Sequence, residues 1–426
     1  MGNDIYGALR EGFTDPVRDV LWGHIYLTPP LAALARSVPF MRLFRIFQLG
    51  PTYGTYPGAT HTRAAHSIGV YHLARRLLLN LAERGADGWL TFTGGRSFLC
   101  AALLHDLGHF PYAHSLKELS LASHEELTGR IIRSEPVKSL VAGAGGDPDF
   151  TAAIVDVKLP GGEDRELFFY RKLLSGVLDP DKLDYLNRDA RYCGVPYGAQ
   201  DVDFILSRLH PQAERGFDID SRGIPSVESI LFSKYLMYRS VYWHRSVRSA
   251  TAMIKKALLA GLNAGVIARE ELYNLDDQGL FALMASRSLP LFALAEKVRD
   301  GCLYGAAAEF PFDEPVHRNL LDINRRFYHE QALAREFSEL TGRRILPEEL
   351  IIDVPEPVSF ETGLYVTDER CFFSESSSVF KARGVDGFIR TLRVIRVFVA
   401  PEYENSIKSS IKLYDILHKK EKWLQL

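Results

Sequence analysis

Cysteine is scarce in this chain of 426 residues: Cys100, Cys193, Cys302 and Cys371 lie far apart, with no metal-type spacing. They read as reduced core or surface thiols of a cytoplasmic protein. No apolar run approaches the roughly 20 residues that cross a bilayer, so no membrane partner is expected. Neither sign of charge is in excess. A net charge of -2 gives no global attraction to nucleic acid or to acidic lipid. The segment Met1-Gly2-Asn3-Asp4-Ile5 lacks the basic-then-apolar pattern of a signal peptide, and no internal repeat or low-complexity tract is evident. Core-forming residues, by contrast, are plentiful. The composition is 46% hydrophobic, enough for a large core in a chain longer than one ordinary domain.

From about Pro30 to Leu209 the dominant period is helical, broken at Gly143–Pro148 and at Leu159–Asp164. The second break, flanked by Ile154-Val155-Asp156-Val157 and Leu167-Phe168-Phe169-Tyr170, predicts a hairpin or a flap. Helices resume from Ser226 to about Glu296. In Val241–Leu262 apolar positions are interleaved with His244, Arg245, Arg248, Lys255 and Lys256, which reads chiefly as a solvated basic face on a core helix, the other reading giving some of them to a triphosphate or a neighbouring subunit. Beyond Arg343 the texture changes. Ile345–Pro347, Glu349–Val354 and Thr391–Val399 read as strands, and Tyr403–Leu417 as a closing amphipathic helix. The expected fold is mainly α, with a helical unit over 1–310 and a small α+β subdomain over 311–426.

The stretch Ala101-Ala102-Leu103-Leu104-His105-Asp106-Leu107-Gly108-His109 carries the densest chemistry. Adjacent His and Asp offer an imidazole nitrogen and a carboxylate oxygen, a mix suited to a catalytic divalent cation. The apolar residues ahead of them anchor a helix, and Gly108 is expected to end it through a left-handed turn. Alone, such a pair is more often a capped helix end than a site. Upstream, an amphipathic helix is expected to start near Arg63, placing Arg63 and His66 on one face. His66 can offer an imidazole to a metal, and Arg63 a guanidinium to a neighbouring phosphate. Downstream, Asp179 suits an N-cap and Pro180 a first helical turn, with Lys182, Tyr185 and Asp189 on one polar face.

These segments, in this order, resemble the HD-domain phosphohydrolases, and within them the deoxynucleoside triphosphate triphosphohydrolases. The likeness rests on Phe47-Gln48-Leu49-Gly50, Tyr56–His61, Arg63–Val70, His105–His114, His124-Glu125 and Asp179–Asp189, with a weaker echo at Tyr238–Arg245. It runs from about Asp19 to Val399. The resemblance implies a helical HD core, with its metal site within 48–242. It implies a divalent ion (Mn, Mg, Fe, Co, Ni or Zn) on His66, His105, Asp106 and Asp181, and catalytic roles for His109 and His124, with His114 as acid for the leaving 5′ oxygen. It maps Gln48 and Leu49 onto the deoxyribose, with Tyr185 against C2′, and Arg63, Lys182 and Lys234 onto the triphosphate. Asp189 and Tyr242 frame the sugar.

The implied reaction is metal-dependent hydrolysis of a deoxynucleoside triphosphate to deoxynucleoside and inorganic triphosphate. Relatives self-associate, so a homo-oligomer (dimer or tetramer) is expected. Two positions depart from the family pattern. Lys117 stands where relatives carry an acidic residue supporting the catalytic histidines, with Glu118 next to it as a substitute. Phe44 stands where relatives with a guanine-nucleotide activator site carry an Arg, leaving Arg42 and Arg45 nearby as candidates for an activating nucleotide. Two rival readings remain open: an HD phosphohydrolase acting on a monophosphate, a cyclic nucleotide or an alarmone, and a nucleotide-sensing or nucleic-acid-binding protein with an impaired site.

Overall fold

The computed structural model describes residues 4–376 and 380–410. Thr62 opens helix α1 (Arg63–Glu83) by accepting from the Ala65 N–H. Thr91 does the same for α2 (Phe92–Leu104), whose last eleven residues are all buried. A helix apolar on every face belongs at the centre of a core, and this one ends at the His-Asp pair. Ser123 caps α3 (His124–Ile132). The expected cap of α4 (Pro180–Cys193) is observed: Asp179 accepts from the Lys182 N–H, Pro180 fills the first turn, and Gly194 closes the helix at φ 67°. Helices α5 (Ile224–Met237), α6 (Arg245–Asn263) and α7 (Ile323–Thr341) follow.

Two glycines set the spacing of the motif helices. A Cβ on Gly69 would lie 1.9 Å from Asp184 Oδ1 and 2.5 Å from Arg188 Nη2. The absence of one lets α1 touch α4 and brings His66, one turn earlier, opposite Asp181 and Asp184. Gly108 serves in a way the sequence reading did not anticipate. It is not among the glycines with positive φ. A Cβ there would instead lie 2.4 Å from the His124 carbonyl oxygen and 2.5 Å from the Thr128 nitrogen. Its role is close approach of the motif loop to α3, not a left-handed turn.

The α+β portion contains a three-stranded antiparallel sheet with Val394–Val399 at its centre, flanked by Gly305–Pro311 and Leu350–Asp353. The first of these flanking strands spans the boundary expected at 310. Leu209–Gln212, Gly216–Ile219, Tyr365–Val366 and Cys371–Phe372 form a second sheet, and Asp15–Asp19 pairs with Gly23–Leu27 in a hairpin. Three local expectations are corrected. The hairpin or flap around Leu159–Asp164 is a loop between helices Pro148–Val155 and Arg165–Leu174, whose apolar positions fill a helical core rather than alternate. Ile345–Pro347 forms no strand; Pro347 opens a 3₁₀ turn. Thr391 and Leu392 end a helix, Ala382–Leu392, before the strand begins at Val394. The closing helix is present as Pro401–Lys408, and the remainder of the segment expected up to Leu417 lies outside the described residues from position 411 on.

Two apolar cores result. One gathers α1, α2, α4 and α5 with Val358, Phe360, Leu364, Val366, Phe373 and Phe380; the other gathers α6, α7 and the three-stranded sheet with Phe110, Leu116 and Leu119. A cleft of about 420 Å³ lies where they meet, with Arg63, His105 and Tyr185 on one side and Val247, Arg248 and Thr251 of α6 on the other.

Candidate metal centre and active site

At the floor of this cleft the side chains of α1, α2 and α4 converge. His66 Nε2 lies 2.9 Å from Asp181 Oδ1, and His105 Nε2 lies 3.4 Å from Asp106 Oδ1 and 3.8 Å from Asp181 Oδ1. Ligand atoms of His66, His105 and Asp181 all fall within 4.8 Å of one another. Each imidazole is oriented from behind. The other nitrogen of His66, Nδ1, meets Asp184 Oδ2 at 2.8 Å, and His105 Nδ1 faces the Ala102 carbonyl at 2.9 Å, so both rings turn Nε2 inward. Such outer partners fix tautomer and direction in metal sites. Asp184 is held in turn by both arms of Arg188 (2.8 and 2.9 Å) and by Trp22 Nε1 (2.6 Å), and Arg188 reaches Asp19 at 2.9 Å.

These residues fit a divalent ion on three counts. The donors that converge are two imidazoles and the Asp181 carboxylate, with Asp106 Oδ1 alongside at 3.4 Å from His105. His105 Nε2 is buried without a hydrogen-bond partner among the described residues. The short contact between His66 and Asp181 requires a proton in the metal-free chain. Burial opposes charge on His66, but its hydrogen bonds to Asp181 and Asp184 outweigh this and raise its pKa to about 10. The same contact lowers the Asp181 carboxyl against the effect of its burial. A proton bound that strongly marks a place where positive charge is stabilised.

Asp106 links this group to a second one. Arg63 Nη1 donates to its Oδ2 at 2.7 Å, while its Oδ1 faces both His105 and His109 at 3.4 Å. The His109 ring stacks on His124 with centroids 4.0 Å apart, and His114 lies 4.7 Å from His109 and 5.2 Å from His124. Burial, and next the Arg63 cation, depresses the pKa of His109; His114 reaches solvent, yet the desolvating cleft around it and next Arg63 act in the same direction; burial also depresses that of His124, opposed by Glu125 3.4 Å away. All three imidazoles are therefore favoured in the neutral form, able to accept a proton.

The HD-associated region pattern matches residues 201–422, more than half of the chain, and the HD domain pattern matches residues 63–151. The chain belongs to the HD-domain family. It is 37% identical over 220 residues to uncharacterized protein YwfO of Bacillus subtilis, covering 51% of this chain and 49% of that one. It is 31% identical over 219 residues to the deoxynucleoside triphosphate triphosphohydrolase SAMHD1 of Gallus gallus, covering 44% and 34%. The chain thus spans about half the length of the first curated relatives it matches. Among solved structures, a hypothetical protein from Aquifex aeolicus superposes with a TM-score of 0.69 at 25% identity, over 93% of this chain and 99% of that one.

The HD cleft also brings together most of the residues expected to hold substrate. Gln48, Leu49, Arg63, Tyr185, Asp189 and Tyr242 all line it. Asp189 accepts from Tyr242 (2.6 Å) and pairs with the buried His61 (2.8 Å), which locks the far wall. Lys182 and Lys234 are not in the lining. Lys182 Nζ is held by Asp179, the Gly176 carbonyl and Glu361 at 2.7, 2.8 and 3.0 Å, and Lys234 Nζ donates to the Ser359 carbonyl at 2.8 Å.

Glu118 does not substitute for the missing acid beside His114. It turns away to Lys255 (2.6 Å) and to Arg326. Besides Asp106, the carboxylate beside these histidines is Glu125, 3.4 Å from His124, a residue whose role its sequence neighbours do not announce. Arg42 is likewise committed. It donates to the carbonyls of Leu107 (2.7 Å), His109 (2.6 Å) and Leu275 (2.8 Å), clamping the motif loop, and Arg45 pairs with Asp276 at 2.6 Å. Asp184 with Arg188 was missed too, although their four-residue spacing on one helix was a readable sign of a pair.

Proposed function

We propose that this protein is a metal-dependent phosphohydrolase that cleaves a deoxynucleoside triphosphate at the α-phosphate, releasing deoxynucleoside and inorganic triphosphate. The observation that carries the reading is the convergence of His66, His105, Asp106 and Asp181 beside three imidazoles favoured neutral, at one end of a cleft whose other lining suits a sugar. A divalent ion on those four residues supplies a Lewis acid for a phosphoryl oxygen and for water. The chain supplies the rest. Arg63, held by Asp106, turns a guanidinium toward the same floor, and its buried Nε has no partner among the described residues. His109 and His124 take the proton of the attacking water, and His114, whose ring lies 4.7 Å from that of His109 on the exposed side, passes that proton on to the leaving 5′ oxygen.

Sugar recognition has its own support. The amide oxygen of Gln48 is buried with no hydrogen-bond donor among the described residues, which suits a 3′ hydroxyl. Tyr185 and the paired Asp189 and Tyr242 line the same cleft and are the groups to disfavour a 2′ hydroxyl, a selectivity on the order of a hundredfold by shape. Lys182 and Lys234 join the triphosphate when it replaces Glu361, which lies beside both cations. The decisive experiment incubates the purified chain and Mn²⁺ with every deoxy- and ribonucleoside triphosphate, singly and in pairs, and separates products by chromatography. Tripolyphosphate with free deoxynucleoside is the expected outcome. Orthophosphate or pyrophosphate from every nucleotide overturns the reading.

A further inference from the structure

We propose that His109, His114 and His124 form a second metal site, for a borderline ion such as Zn²⁺, Ni²⁺ or Co²⁺, and that its occupancy opposes turnover. Their ligand nitrogens all lie within 4.8 Å of one another, a group separate from His66, His105 and Asp181. His109 is fully buried, and neither of its ring nitrogens has a hydrogen-bond partner among the described residues. An imidazole so placed is costly unless a donor or a cation meets it. Three imidazoles with no carboxylate among them select the borderline ions; Mg²⁺ and Ca²⁺ prefer oxygen. A three-histidine set also leaves a fourth position open, as catalytic zinc sites do.

Tetrahedral zinc with bonds of about 2.0–2.1 Å needs nitrogens about 3.4 Å apart, so the three rings close by roughly 1 Å on binding. His114 is the ring free to do this, since its side chain is exposed while His109 is enclosed. Arg63 and Lys117 oppose a dication here, and Asp106 and Glu125 offset them. Asp106 Oδ1 lies 3.4 Å from both His105 and His109, so the same oxygen faces both donor groups. An ion on the three rings occupies the lone pairs assigned above to proton transfer, which is why it inhibits. The kinetic half of the inference rests on the phosphohydrolase reading; the metal count does not.

The test uses the full chain stripped by a chelator, loaded with one equivalent of Mn²⁺ and titrated with Zn²⁺. Metal per chain is measured by inductively coupled plasma mass spectrometry after gel filtration, with turnover followed in parallel. Two ions per chain are expected, with activity falling at least tenfold as the second binds. The double variant H114N/H124N is expected to hold one ion and to keep its circular dichroism spectrum; H109Q checks the same loss from the buried ring. A wild-type chain that never exceeds one ion, or a folded H114N/H124N chain that keeps two, overturns the site. Two bound ions with undiminished turnover overturn the inhibition. Absence of any nucleotide hydrolysis would defeat the proposed function yet leave the two-ion count as its own result.

Discussion

At the scale of single residues, the metal-free centre is governed by one proton. His66 has its pKa raised to about 10 through Asp181 and Asp184, against an ordinary value of 6.5. A group raised on folding stabilises the native state fully below its unfolded pKa, and that stabilisation is lost as pH climbs through the folded one. The metal-free chain should therefore lose thermal stability between about pH 6.5 and pH 10, as differential scanning calorimetry in chelator would show. A divalent ion must displace the same proton. Metal affinity is thus expected to rise across that window, with a proton released that calorimetry in buffers of different ionisation enthalpy can count. Asp106→Ala removes a proposed ligand and leaves Arg63 without its buried partner. Both bound metal and turnover should vanish in D106A; a variant that keeps full activity would exclude the mechanism.

At the scale of elements, the caps and faces that place the ligands were legible in the sequence, because each rests on a local rule. Asp179 and Pro180 open α4 as expected, and the apolar positions after Arg63 lie along α1 as a helix requires. The segment around Leu159–Asp164 was misread because short apolar runs beside Gly and Pro look alike in strands and helices. The long-range partners were not legible, since nothing near Arg42 or Glu118 in the chain announces Leu107 or Lys255. Gly108 combines both cases: the glycine was noticed, and its reason lay in a helix sixteen residues away. Gly108→Ala should lower the unfolding free energy by about 3 kcal/mol, at the upper end of overpacking costs, because backbone of α3 stands in the way. A denaturant midpoint equal to that of the parent chain would contradict this packing.

At the scale of the whole molecule, the cleft exists because two cores meet, and a buried charge network crosses that junction. Lys255 of α6 holds Glu118, near the end of the 3₁₀ segment Ala113–Leu119 that carries His114, and also Glu356 at 3.4 Å; Arg326 of α7 holds the same Glu118. Removing one partner from an enclosed pair costs about 3–5 kcal/mol, and the partial exposure of Glu118 reduces this to about 2–3. Lys255→Met is expected to destabilise the chain by that amount in chemical denaturation. On the proposed mechanism it should also slow turnover more than it weakens metal binding, because that segment carries His114 and none of the residues proposed to hold the metal.

The Arg42 guanidinium reaches three carbonyls from two distant parts of the chain, Leu107 and His109 in the motif loop and Leu275 beyond α6. Those carbonyls have little other use for their lone pairs, so the loop holding Asp106 keeps its course only when both remote segments have arrived. A chain missing either segment is expected to lose this clamp and, with it, its grip on metal, which a metal count on such a chain would check. A fragment limited to residues 63–151 would contain His66, His105 and Asp106, yet it would lack both Arg42 and Asp181.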